Sequence, residues 1–347
     1  GEDISVWNEL MKFLELILLM YIVYMVNVII HEGGHLIFGL MTGYKFNSFR
    51  IFSVILIKQN GKLKIKNISL AGTGGQCLMS PPELIDGKMP YVLYNLGGVI
   101  LNVITSLIFI VIYLISLWKL LSLAMIMSAI MGFASAVVNG IPMKVGDINN
   151  DGYNAVQLGS DKDALKALWV QLKMNGALAE GIGIREMPEE WFESIDGKND
   201  NPMITSIKVF YCNRLMAMHK FEQTKEEIKK VLESNMVLVG VYRYLLICDY
   251  IYCELIDGNI IEAEEFYTKD LQKFMKSMKK FPAILRTKYT YELLHNKDSK
   301  QAEKLRTLFN IMSEKYPYTS DIEAENELMD IAKSIYDGVM DNKINKK

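Results

Sequence analysis

Hydropathy constrains this chain more than any other feature. Three runs, Leu16 to Met41, Tyr91 to Trp118 and Leu120 to Val138, are long and apolar enough to cross a bilayer, which takes roughly 20 residues of helix. In hydrocarbon a spanning segment must satisfy its own backbone hydrogen bonds, so each run is expected to be a helix. Lys119 alone separates the second from the third, which predicts a tight turn there. The first run is too long for a signal peptide and lacks a small-residue cleavage site, so it is expected to persist in the mature protein. The chain begins with Gly1 rather than Met, and its first residues are read as a processed or appended end without function. Beyond about residue 155 the sequence turns rich in Lys, Glu and Asp. The predicted fold is therefore mostly α: a three-span membrane core with a β-hairpin over residues 1–158, then a soluble all-α domain over 159–347.

The loop between the first two runs sets the orientation. Residues 44–90 contain Lys45, Arg50, Lys58, Lys62, Lys64, Lys66 and Lys88 against Glu83 and Asp86. By the positive-inside rule this loop is cytoplasmic. The N-terminus then lies outside, and everything after the third span lies in the cytosol. Within the loop, "FNSFRIFSVILIK" and "GKLKIKNISL" are β-prone runs separated by Gln59-Asn60-Gly61, and Asn-Gly favours a two-residue hairpin turn. A hairpin over about residues 46–70 is expected at the cytoplasmic face.

Inside the first span, "VNVIIHEGGHLIFGL" places two histidines and a glutamate in an apolar stretch. An ionisable group in a membrane segment is costly, so it is paired or functional. His31 and His35 are four residues apart and project from one face of a helix, with Glu32 beside them. This is the HExxH arrangement, in which two imidazoles bind zinc and the glutamate handles the proton of the attacking water. Catalytic zinc needs a third protein ligand and an open position. His31 lies about 22 Å along the helix from Leu16, in the cytoplasmic half of the bilayer, and the third span ends at that depth. There "VVNGIPMKVGDINNDGYNA" offers two carboxylates, Asp147 and Asp151.

At these residues the chain resembles the site-2 protease family of intramembrane zinc metalloproteases. His31, Glu32 and His35 match the family's first motif, and Asn139, Pro142, Asp151 and Gly152 match its Asn-x-x-Pro...Asp-Gly motif. Gly98 and Asn102 in "NLGGVILN" resemble the Gly-x-x-x-Asn element of its middle span. The resemblance covers roughly residues 10–158. It implies Zn2+ held by His31, His35 and Asp151, Glu32 as general base, and Asn139 as a polar group near the scissile carbonyl. Eight residues intervene between Pro142 and Asp151, where many members have about four. Asp147 is the alternative ligand; Asp151 is preferred because Gly152 permits a close backbone approach. An extended substrate needs hydrogen-bond partners, so the hairpin and the "AGTGGQ" after it are expected either to guide the substrate or to cap the site.

Other readings are weaker. Asp147-x-Asn149-x-Asp151-Gly152 opens like a calcium loop, but Leu158 stands where a bidentate Glu is required. Gly72, Gly74 and Gly75 lack the Lys-Ser/Thr of a phosphate loop. A metal transporter would need polar residues along several spans. A silent relative that escorts peptides is the alternative function, against which the complete His-Glu-His-Asp set argues. The net charge of -2 and the lack of a long basic stripe give no support for nucleic-acid binding, and no nucleic-acid partner is expected. Cys77, Cys212, Cys248 and Cys253 form no CxxC pair and are expected to be free and buried, while His219 and His295 have no ligand-spaced neighbours.

The soluble half shows helical spacing from Asp161 to about Tyr336, with a break at "DGKNDNP". A 39-residue repeat aligns Tyr211, Tyr250 and Tyr289; Met216, Leu255 and Leu294; and Thr224, Ala263 and Ala302. It resembles tetratricopeptide-like helical hairpins, and a solenoid of that kind would bind a protein partner. The resemblance as a whole implies a multi-pass enzyme of the cell membrane, and Ile, Lys and Asn usage points to a bacterial one. Its substrate would be a membrane-tethered regulator, a signal-peptide remnant or a secreted-peptide precursor. Three spans are few to seal a site from lipid, so a dimer or a partner membrane protein is a candidate to complete it.

Overall fold

A computed structural model of the protein describes residues 2–68, 74–145, 148–193 and 200–344, apart from the side chains of residues 2–6, 145, 148 and 340–344. Asp147, Gly72 and most of the break expected at 196–202 lie outside the described residues. The chain divides into two compact units, one drawn from residues 1–51 and 74–161, the other from 52–73 and 162–347.

The first part of the chain runs α1 (Glu2–Met41), β1 (Lys45–Ile51), β2 (Val54–Gln59), β3 (Lys62–Asn67), β4 (Gly75–Ser80), α2 (Val92–Ile115), α3 (Lys119–Gly140), β5 (Lys144–Val145), β6 (Ile148–Asn149) and α4 (Asp151–Gln157). Of these, β2 and β3 belong to the second unit and the rest to the first. The three helices long and apolar enough to cross a membrane are those expected, at Trp7–Met41, Val92–Ile115 and Lys119–Gly140. Their exposed side chains include Leu14, Leu18 and Ile22 on α1, Leu107 and Val111 on α2, and Ile130 and Val137 on α3. Apolar residues on an outer surface suit lipid and would be unfavourable in water. The 35 residues of this first span extend about 52 Å at ~1.5 Å per residue, further than a hydrocarbon core of ~30 Å.

The turn between α2 and α3 differs from expectation. It occupies Ser116–Trp118, and Lys119 opens α3 instead of forming the turn. The Ser116 hydroxyl accepts from the Trp118 backbone N–H at 3.2 Å, a serine turn that competes with helix locally.

Helices α1 and α2 approach closely because both present glycine at the crossing. A Cβ on Gly34 would lie 2.2 Å from the Gly97 carbonyl oxygen, and one on Gly97 would lie 2.5 Å from that of Gly34. Small residues permit such contact, and with no hydrophobic drive between helices in lipid, packing has to supply the association.

The Asn60-Gly61 turn forms as expected, with φ of 50° and 74°, the left-handed pair of a type I′ hairpin. The β-prone run over 46–58 breaks in two at Phe52, whose φ is 52°. Strand β4 was not legible in the glycine-rich sequence; it pairs antiparallel with β1 from Lys45↔Ser80 to Ile51↔Gly75, with a bulge between Phe46 and Ser48. The β2–β3 hairpin is held by the second unit. Gln59 Nε2 donates to the Pro317 carbonyl at 2.7 Å, Lys66 Nζ to that of Glu314 at 3.0 Å, and the Asn67 N–H to that of Lys315 at 2.9 Å.

The second unit continues with α5 (Lys162–Ala179), α6 (Pro202–Ala217), α7 (Phe221–Glu233), α8 (Gly240–Ile256), α9 (Ile260–Phe266), α10 (Lys269–Ser277), α11 (Pro282–Thr290), α12 (Ser299–Ser313) and α13 (Thr319–Ile344). The repeated small residues Thr224, Ala263 and Ala302 fall on α7, α9 and α12 and are all buried. The tyrosines are not equivalent, because Tyr250 and Tyr289 are buried whereas Tyr211 is exposed. The extra helix α10 and a π-helical stretch at Tyr291–His295 also interrupt a regular period. All four cysteines are free and buried.

Arg286 ties three helices of this unit together. It is 1% exposed, pairs with Asp249 of α8, donates to Glu325 of α13 at 2.8 Å and lies over the Tyr252 ring.

Two outcomes follow from this packing. Gly34→Ala should destabilise the membrane unit by about 1–3 kcal/mol, the usual cost of overpacking, read as a lower thermal midpoint in detergent. Arg286→Met strands two carboxylates in a buried site and should cost about 3–5 kcal/mol. Denaturant unfolding of the full chain, followed by the fluorescence of Trp169 and Trp191, checks the second.

Candidate metal centre

In α1, His31 and His35 stand one turn apart, with ring centroids 4.9 Å apart and planes at 82°. His35 is fixed from behind: its Nδ1 lies 2.7 Å from the Tyr94 carbonyl of α2. That oxygen can only accept, so Nδ1 donates to it and Nε2 is the ring nitrogen left to bind a metal. Tyr94 is held in turn by its hydroxyl donating to the Cys77 carbonyl at 3.0 Å and by stacking on Tyr44 at 4.5 Å. The His31 ring lies against Gly98 of α2, where a Cβ would come within 2.5 Å of it. Glycine at 98 therefore leaves the space the imidazole fills.

Asp151, the first residue of α4, brings its Oδ2 to 3.1 Å from His31 Nε2 and 3.5 Å from His35 Nε2, and the two Nε2 atoms are 3.3 Å apart. Burial pushes the Asp151 carboxyl up, but hydrogen bonding to the two histidines outweighs it and leaves it lowered to about 2. The carboxylate is thus available as a ligand at neutral pH. Ligands at ~2.0–2.1 Å from a tetrahedral ion stand about 3.3 Å from one another. Two imidazole nitrogens and one carboxylate oxygen at these separations fit zinc in both chemistry and spacing.

Asn150 places that aspartate. Its Oδ1 accepts from the N–H groups of Met143 and Tyr153 at 3.1 and 2.9 Å, and its Nδ2 donates to the Val138 and Ile141 carbonyls at 2.8 and 2.7 Å. One side chain thus caps the end of α3 and the start of α4 together. Between Pro142 and Asp151, strands β5 and β6 pair as a short ladder, Lys144↔Asn149 and Val145↔Ile148. The Asn150 N–H bonds the Met143 carbonyl at 3.1 Å and ties off the ladder's base. Gly152 permits the approach: a Cβ there would lie 2.1 Å from the Gly140 carbonyl oxygen.

Glu32 is 9% exposed and lies against strand β4. Gly75 of the same strand passes so near that a Cβ would meet Glu32 Cγ at 2.7 Å. The Asn139 amide bonds within its own helix. Its Nδ2 donates to the Ser135 carbonyl at 2.9 Å and to the Ser135 hydroxyl at 3.3 Å. Among the described residues, the one grouping of three His, Cys, Asp or Glu side chains able to hold a metal is His31, His35 and Asp151. His219 instead pairs with Glu327 at 3.3 Å, and His295 stacks on Tyr291.

The sequence model of peptidase family M50, the site-2 protease family, matches residues 19–316. The chain belongs to peptidase family M50. Its members are zinc metalloproteases of membranes, and the three apolar helices agree with a multi-pass membrane protein. The match runs well past the membrane unit into the helices of the second unit. Comparison with curated proteins and with solved structures gives no match.

The roles of Tyr94 and Asn150 escaped sequence reading. Tyr94 acts through its backbone, which carries no sequence signature. Asn150 had a legible signal, since Asn before a short helix is a common N-cap. Asn150→Ala should leave the fold intact but loosen Asp151, weakening zinc affinity about 10–100-fold, the usual scale for loss of an outer-shell support. Chelator competition on the purified full chain measures it.

Proposed function

We propose that this M50 member is an active intramembrane zinc endopeptidase that cleaves membrane-embedded or membrane-associated peptides near the cytoplasmic face. The observation that carries the reading is the convergence of His31 Nε2, His35 Nε2 and Asp151 Oδ2 beside the buried Glu32. Zinc bound there would supply Lewis acidity, polarising a peptide carbonyl and making water acidic enough to lose a proton near neutral pH. Glu32 takes that proton as the peptide carbon is attacked and returns it to the leaving nitrogen. Asp151 and the histidines hold the ligand atoms in place, while Tyr94 and Asn150 orient them. Asn139 would serve a substrate carbonyl only by releasing its bonds to Ser135.

A helical substrate must be unwound before attack, and an extended segment pairs well with a strand. Strand β4 lies against Glu32, whereas the β2–β3 hairpin is bonded to the second unit. Strand β4 is therefore assigned as the guide, in place of the hairpin. The helical unit is assigned to partner recruitment or regulation through its paired helices. Charge in the loop after α1 supports an outside N-terminus and a cytosolic helical unit in a bacterial cytoplasmic membrane.

Glu32→Gln distinguishes this reading from a silent escort. The expected result is retained zinc with turnover of a co-reconstituted membrane peptide reduced at least 100-fold, within the range for loss of a general base. Unchanged cellular output with Glu32→Gln would favour the escort. Chelation of the wild type should abolish cleavage, and zinc should restore it.

A further inference from the structure

Behind His31, on the side away from Asp151, lies a buried amide that the reaction scheme does not use. Asn102 of α2 is 0% exposed. Its Nδ2 stands 3.2 Å from His31 Nδ1 and 2.8 Å from the Ser135 hydroxyl of α3. Its Oδ1 is buried and has no partner among the described residues. Asn27 Oδ1, one turn from His31 on α1, and Ser106 Oγ, one turn from Asn102 on α2, are also buried without partners among the described residues. Those two atoms would lie 3.0 and 2.2 Å from a Cβ on Gly132 of α3, so the centre of the bundle is short of donors.

With Nδ2 facing His31 Nδ1, the imidazole must accept at Nδ1 and carry its proton on Nε2. A metal at Nε2 requires the reverse, with the proton on Nδ1. Two N–H groups would then oppose one another at 3.2 Å. Rotating the amide by a half-turn about its Cβ–Cγ bond removes the conflict. Oδ1 then accepts from His31 Nδ1–H and from the Ser135 hydroxyl, and an N–H donor replaces one unpartnered acceptor in the bundle. The exchange leaves both bonded partners in place and reverses only the direction of donation.

We infer that Asn102 is the positioning residue for His31: its Oδ1 accepts the Nδ1–H of that ring, selecting the tautomer whose Nε2 binds zinc. Ser135 holds the amide in that orientation, and through Ser135 the amide is linked to Asn139. This rests on the zinc-ligand reading of His31. It adds that Asn102 matters through its acceptor oxygen.

The test is zinc affinity of the full chain in detergent, by competition with a chromophoric chelator, for wild type, Asn102→Leu and Asn102→Asp. Far-UV helicity is measured on each. Leu is nearly isosteric but has no acceptor and should weaken zinc binding about 10–100-fold, the scale for outer-shell partners of ligating histidines. Asp offers only acceptors when ionised and should bind zinc as tightly as wild type or more so. Tight binding by Asn102→Leu, or equal weakening in both variants with wild-type helicity, overturns the inference and leaves the ligand set standing. Absence of zinc binding in the wild type overturns the ligand set itself. If Asn102→Leu loses helicity, the comparison of Asn102→Asp with wild type decides, because weakened binding there refutes an acceptor role.

Discussion

Everything at the candidate centre depends on how closely α1 and α2 cross. Lipid offers helices no hydrophobic reward for meeting, so association rests on packing and on the polar groups that packing brings together. Gly34 and Gly97 bring the backbones into contact, and Gly98 clears the space for His31. At that separation the Tyr94 carbonyl reaches His35 and the Asn102 amide reaches His31. The two unspecified positions of HExxH, residues 33 and 34, are both glycine here. One short stretch therefore supplies both the ligands and half of the contact that orients them.

The third ligand arrives by a different principle. Asp151 follows α3 after a connection over residues 141–150, and a connection of that length by itself would leave its position loose. The β5–β6 ladder pairs part of the connection with itself, while the four hydrogen bonds of Asn150 hold its two ends together. A side chain with its full hydrogen-bonding capacity used has one orientation, and it fixes its neighbour.

The second unit organises itself around a charge rather than around glycine. Arg286 is fully enclosed and answered by carboxylates from two other helices, so the three helices have a single register that satisfies it. A buried charge of this kind adds specificity more readily than net stability. The hydrogen bonds of this unit to the β2–β3 hairpin join it to a segment that lies between the first two spans in sequence.

Sequence alone determined the three membrane helices, because twenty apolar residues have no other stable form in lipid. It also determined the hairpin turn at Asn60-Gly61, where left-handed backbone demands those residues, and the pairing of His31 with His35, which helical spacing places on one face. The carboxylate was narrowed to two, and only the tertiary structure brought Asp151 to the histidines, through bonds among residues distant in sequence. The break at Phe52, strand β4 and the α2–α3 turn were likewise decided by packing, since short strands and turns carry too little periodicity to read. The orienting groups were least legible of all: a backbone carbonyl has no letter of its own, and the orientation of an amide depends on neighbours that only the folded chain assembles.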